Sequence, residues 1–241
     1  MKIPKRSEMT AAAIAGKTAK KQGHLFEHKL AATFDKLFGG NHVVDGRPQT
    51  KVDIHETVSN HKYSVKSVSK NHTQVALLST DKFIKHFKIK GQSEIFLRMF
   101  FGYPNKELKS IVQQQHPDLQ LSDKEIKQNR VYKNNIEPKI CNAFVKWMNR
   151  NKCAIFDVIV RRGFEGDDVN VIVWHTKGSE MIRMISMETL EKQVANGSWS
   201  LNNTTLEFRE TDGTKLFHLQ MKGSGKKYNS GYHGMMFHIY K

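Results

Sequence analysis

At 241 residues with 38% hydrophobic content, the chain is long enough to bury a core as one large domain or two small ones, and too apolar to be disordered. Lys and Arg number 39 against 23 Asp and Glu, a formal charge of +16, which points to a polyanionic partner, nucleic acid first, with a merely basic surface of ribosomal kind as the alternative. No apolar run approaches the roughly 20 residues of a spanning helix and the start has no secretory hydrophobic region, so the expectation is a cytoplasmic protein without a membrane partner.

Residues 1–16 are basic, then Ala-rich, and fit a frayed helix or an arm over a nucleic-acid backbone equally well. Residues 17–38 place Phe26, Leu30, Phe34, Leu37 and Phe38 on one stripe of a helix that Gly39-Gly40 ends. Glu27 stands on the margin of that stripe, either as a solvated flank or as a carboxylate aimed at a site beyond the helix. Residues 42–45, 51–56 and 62–68 read as strands of a small sheet. The last two alternate polar and apolar residues around the polar turn 57–61, the pattern of an antiparallel hairpin.

Residues 69–74 read as a polar, basic loop leaving the sheet, with Asn71, His72 and Gln74 able to enter a DNA groove. Residues 75–101 predict two helices separated at Gly91, and the polar stretch 102–135 predicts a boundary between a catalytic core over residues 1–130 and a recognition subdomain over 131–241. A second amphipathic helix spans 136–149. Cys141 and Cys153, too few and too far apart for a structural zinc site, are expected to be reduced core residues. Strands follow at 154–160, 169–176 and 181–185, then a helix capped by Ser186 and ended by Asn196-Gly197. Strands at 205–209, 216–221 and 235–240 close the chain, the last two joined by a basic, Gly-rich loop. The whole reads as a mixed α/β (α+β) fold.

The hairpin carries the chemistry. Facing strands bring Asp53 together with Ser64 and Lys66, while Val65 points to the core. An acid on one strand and a residue-any-lysine on the next form a minimal kit for metal-assisted phosphodiester cleavage: Asp53 and the Val65 strand carbonyl hold a cation, and Lys66 orients or deprotonates the attacking water. Ser64 is neutral, so a second acid is needed, Glu27 or alternatively Glu56. Hard oxygen donors without a Cys/His cluster imply magnesium. The 12 histidines are scattered, at no spacing that suggests a metal finger, and no phosphate-cradling loop implies a nucleotide cofactor. Toward the C-terminus, Gln220 and Lys222 at a strand end, with Gly223, Lys226 and Lys227 beyond, can address base edges or simply phosphates.

Several of these segments occur in one order: Lys17-Thr18-Ala19-Lys20, Gly23 and Glu27; Asp53 with Ser64-Val65-Lys66; Trp147 to Lys152 leading into Asp157 to Gly163; and Leu219-Gln220-Met221-Lys222-Gly223 with Met236-Phe237-His238. This ordered set resembles the small Type II restriction endonucleases of the HinP and Msp kind, in the PD-(D/E)xK nuclease superfamily. The resemblance implies a central mixed sheet flanked by helices with a β-rich DNA-reading part, and magnesium-dependent hydrolysis of double-stranded DNA to 5′-phosphate ends. It also implies Asp53 as metal ligand, Lys66 as catalytic lysine, Glu27 as helix acid, and Asn71, His72, Gln74, Gln220, Lys222 and His238 in DNA contact. A prokaryotic or viral restriction–modification setting and a monomer or weak homodimer go with it, as does a short GC-rich palindrome, GCGC first and CCGG second. Val52 stands where the motif has proline, and Ser64 where it has Glu or Gln. A structure-specific repair or junction nuclease, and a non-catalytic basic nucleic-acid binder, are the alternatives.

Overall fold

The computed structural model describes residues 11–47, 51–68, 72–102, 114, 117–163, 166, 168–176, 182–221 and 234–240. Among the described residues, ten strands form two five-stranded sheets. The first has the order β1-β2-β3-β5-β6, built from β1 (His42–Val44), β2 (Ile54–Glu56), β3 (Lys62–Val68), β5 (Val171–Thr176) and β6 (Ile182–Ser186). It is mixed: β3 and β5 run parallel, and its other pairs are antiparallel. The second is antiparallel throughout, in the order β4-β10-β9-β8-β7, from β4 (His72–Ser79), β7 (Ser198–Leu201), β8 (Thr205–Arg209), β9 (Lys215–Met221) and β10 (Gly234–Tyr240). Each sheet takes strands from both sides of residue 130.

Helix α1 (Ala11–Phe38) lies on one face of the first sheet, where Leu30, Ala31 and Phe34 bury against Ile54, Tyr63 and Val173. Leu37 and Phe38, expected on the same stripe, are exposed. The other face of that sheet and the inner face of the second share one core with α2 (Thr80–Phe87), α3 (Gln92–Phe101), α5 (Pro138–Arg150), α6 (Lys152–Phe156) and α7 (Met187–Asn196). A short α4 (Asp123–Gln128) opens on a capping box between Ser122 and Glu125. The mixed α/β architecture expected of the sequence is therefore present, with a central mixed sheet flanked by helices and a β-rich C-terminal part. No described helix is long and apolar enough to cross a membrane.

Four local expectations are corrected. Residues 72–79 are strand, so His72 and Gln74 belong to β4 and not to a loop, and α2 begins only where Ser79 accepts the Lys82 amide as N-cap. Residues 154–160 are helix α6 and a wide turn (Asp157–Arg162), because the buried Ile155, Phe156, Ile159 and Val160 repeat at helical spacing and not in alternation. Strand β7 was not expected, although Trp199 and Leu201 alternate with exposed serines. Cys141 is buried, whereas Cys153 is exposed; both are free.

The turn that closes the β2–β3 hairpin is organised by Glu56. Its buried carboxylate accepts from the amides of Val58, Ser59 and Asn41 and from the Ser59 hydroxyl. Gly40, at φ +94°, lets the chain pass so close that a Cβ there would lie 2.9 Å from Glu56 Oε1. The Ser59 hydroxyl first, then the Val58 and Ser59 amides, hold the Glu56 pKa at about 2 against an ordinary 4.5. A depressed native pKa contributes stability that is present above the unfolded value and lost as pH falls toward the folded one. Glu56→Gln should thus lower the denaturation midpoint near neutral pH, with the deficit narrowing once pH drops below 4.5. A gap of constant size in melts from neutral pH down to about 3 would overturn this role.

Candidate active site

The hairpin register sets the site. Ile54 pairs with Tyr63 and His55 with Lys62, so one step further Asp53 stands opposite Ser64, and its amide donates to the Tyr63 carbonyl at 2.8 Å. Ile54 and Tyr63 face α1, which turns Asp53, Ser64 and Lys66 to the opposite face. Three donors converge on Asp53 Oδ2: the Val65 amide at 2.6 Å, the Ser64 hydroxyl at 3.2 Å and Lys66 Nζ at 3.2 Å. Ser64 is buried, while the Asp53 and Lys66 side chains keep 23% and 22% of their surface exposed. Val65 meets Asp53 through its amide, and its side chain packs toward α1.

Lys51 is a member of this group that the sequence reading passed over. Its Nζ donates to the Val75 carbonyl at 3.1 Å, and its stem lies against Gly163, where a Cβ would come within 3.1 Å of Lys51 Cε. Burial first, then the charge of Lys66, push its pKa down to about 8, with Asp53 opposing. The available signal was its place two positions before Asp53 in a strongly patterned stretch. Val75 is the residue that the β4–β10 register skips between Gln74 and Ala76, a bulge that leaves its carbonyl to Lys51.

The two acids considered for the second carboxylate have other partners in this structure. Glu27 bonds to His24 of its own helix at 3.1 Å, and no ion pair joins it to Lys66 among the described residues. Glu56 is committed to the hairpin turn. The carboxylate on the neighbouring strand is Asp45, whose amide donates to the Asp53 carbonyl at 3.0 Å, one ladder step beyond the Val44–Ile54 pair. Its own oxygens take the Arg47 guanidinium at 2.6 Å, which holds the Asp45 carboxyl below the usual range. Asp53 and Asp45 thus stand side by side on neighbouring strands, both offering hard oxygen donors.

The second sheet carries a polar outer face. His238 of β10 stands directly opposite His218 of β9 and, on its other side, Gln74 of β4. Gln220 approaches His238, with 3.3 Å between Nε2 atoms, so Gln74, Gln220 and His238 share one face. His72 closes on both buried histidines edge-on. Beside them Glu207, buried, holds Arg209 at 2.8 Å and Lys215. The expectation that the histidines are scattered is corrected here: three of them meet on neighbouring strands. Asn71, Lys222, Gly223, Lys226 and Lys227 lie outside the described residues.

No protein-family model matches the chain, and no curated protein does. Among solved structures it is similar to restriction endonuclease MspI in complex with its cognate DNA, at 10% identity and a TM-score of 0.43, over 82% of this chain and 69% of that one. It is also similar to HhaI endonuclease in complex with DNA, at 12% identity and a TM-score of 0.29, over 90% of this chain and 85% of that one.

Proposed function

We propose that the chain is a Type II site-specific deoxyribonuclease that hydrolyses double-stranded DNA with magnesium. The observation that carries this reading is the convergence of Ser64, the Val65 amide and Lys66 on a single oxygen of Asp53, on a chain of net charge +16. The basic excess draws the duplex in, by a term that is strong and falls with salt. Asp53 supplies the carboxylate for the ion, with Asp45 adding negative charge from the next strand. Bound there, magnesium supplies Lewis acidity toward a phosphoryl oxygen. Lys66, on the same face, positions the attacking water in line with the scissile bond, and Lys51 behind it adds a second positive charge facing the phosphate. The second sheet reads sequence: Gln74 and Gln220 present amides suited to an adenine edge or to water-mediated contacts, and Lys222 suits guanine. A GC-rich palindrome, GCGC before CCGG, is the proposed site.

Asp53→Asn and Lys66→Ala should each lower magnesium-dependent cleavage of a plasmid by about 100-fold or more, while binding of a duplex without the ion stays within a few-fold. Either variant cutting at the normal rate would sink the assignment. The same digest sorts the alternatives. Bands at fixed positions on linear duplex support a sequence-specific enzyme, cleavage only at junctions or flaps supports a repair nuclease, and no cleavage with magnesium leaves a binding protein.

Gln220→Ala should relax preference at one base pair by about 1–3 kcal/mol, read as cutting at near-cognate sites with the rate at a cognate site less affected. An unchanged fragment pattern across a range of enzyme concentrations would remove Gln220 from the reading face.

A further inference from the structure

Three imidazoles meet where β4, β10 and β9 run side by side. His218 and His238 stack across the strand pair with centroids 4.4 Å apart and planes 9° from parallel. His72 stands edge-on to them, its centroid 5.3 Å from His218 and 5.1 Å from His238. One ring nitrogen of each lies within 4.8 Å of the others. His218 and His238 are buried, and the Nδ1 of each is enclosed with no hydrogen-bond partner among the described residues. A buried polar atom left unpaired is costly, and two on facing rings are rare without something to join them. Burial first, then the neighbouring histidines, hold both pKa values near 4, so both rings offer lone pairs at neutral pH.

We propose that His72, His218 and His238 form a three-histidine site for a divalent transition metal of the zinc class, separate from the Asp53 site. Imidazole nitrogen is a borderline donor that suits zinc, cobalt, nickel and copper far better than magnesium. A tetrahedral zinc ion with bonds of about 2.0–2.1 Å holds its ligands about 3.3 Å apart, so binding turns the stacked His218 and His238 rings out of parallel until their lone pairs meet at one point. Three protein ligands leave a fourth position for water. Coordination through Nδ1 of His238 puts its proton on Nε2, so the Gln220 amide, whose nitrogen faces that atom at 3.3 Å, turns over to accept through Oε1 and becomes the outer partner that fixes the ligand's tautomer. The ion would then tie three strands together and set the direction of Gln220. The Tyr240 ring, 5.2 Å from His72 and 5.3 Å from His218, flanks the cluster, and Lys215 lies over that ring and not in the cluster.

Cobalt(II) is the probe. The full chain, stripped with EDTA and dialysed, should take up cobalt stoichiometrically at the site, with visible absorption of tetrahedral intensity that zinc bleaches. His72→Asn, at the more exposed of the three positions, should weaken cobalt binding by about 10-fold or more. Asp53→Asn should leave it unchanged. Zinc should raise the thermal midpoint of the unaltered chain and not that of His72→Asn, which keeps the test open if His218→Asn does not fold. The site is overturned by absence of stoichiometric uptake, by only the weak absorption of octahedral cobalt, by a full-strength band in His72→Asn, or by loss of the band in Asp53→Asn, which would place the ion in the hairpin.

Discussion

Everything at the candidate active site depends on a single carboxylate oxygen. Asp53 Oδ2 collects a main-chain amide, a hydroxyl and an ammonium from three consecutive residues of the facing strand. Such a meeting is possible only if the hairpin keeps its register, since a slip of one residue would send Ser64 and Lys66 to the α1 side and bring Tyr63 and Val65 to the site. Two features pin that register. On one face, Ile54 and Tyr63 are buried against α1, so a slip would expose them. At the far end, Glu56 saturates the turn with hydrogen bonds.

The β2–β3 hairpin and the second sheet are joined by a direct contact as well as through the shared core. Lys51, two residues ahead of Asp53, reaches the carbonyl that a bulge in β4 leaves outside the ladder. One half-buried ammonium thus contacts the second sheet while contributing charge beside Lys66. The hairpin and the polar face of the second sheet are thus packed on one shared core.

The outer face of the second sheet is unusual in what it buries. Glu207 sits there paired with Arg209 and Lys215, and beside it lie two neutral histidines with enclosed ring nitrogens. A charged residue under cover is normally paired, and Glu207 is. The Nδ1 atoms of the two histidines have no partner among the described residues, which distinguishes them from an ordinary polar lining and gives the proposed transition-metal site its chemical rationale.

Local pattern alone determined the elements whose signals are periodic or capped. The β2–β3 alternation gave the hairpin and hence Asp53, Ser64 and Lys66 on one face; Ser186 and Gly197 marked α7; residues 205–209 alternate and are β8. Where an apolar run is short, helix and strand share the same composition, and only packing decided: 154–160 coiled to bury Ile155 and Ile159 together, and residues 72–79 extended along β10. Which residue stands beside Asp53 on the next strand depends on strand order, and it is Asp45, while Glu27 bonds to His24 of its own helix. The histidine cluster was invisible in sequence for the same reason. His72 and His218 are remote along the chain, and they meet because β10 inserts between β4 and β9, a pairing that tertiary structure alone selects.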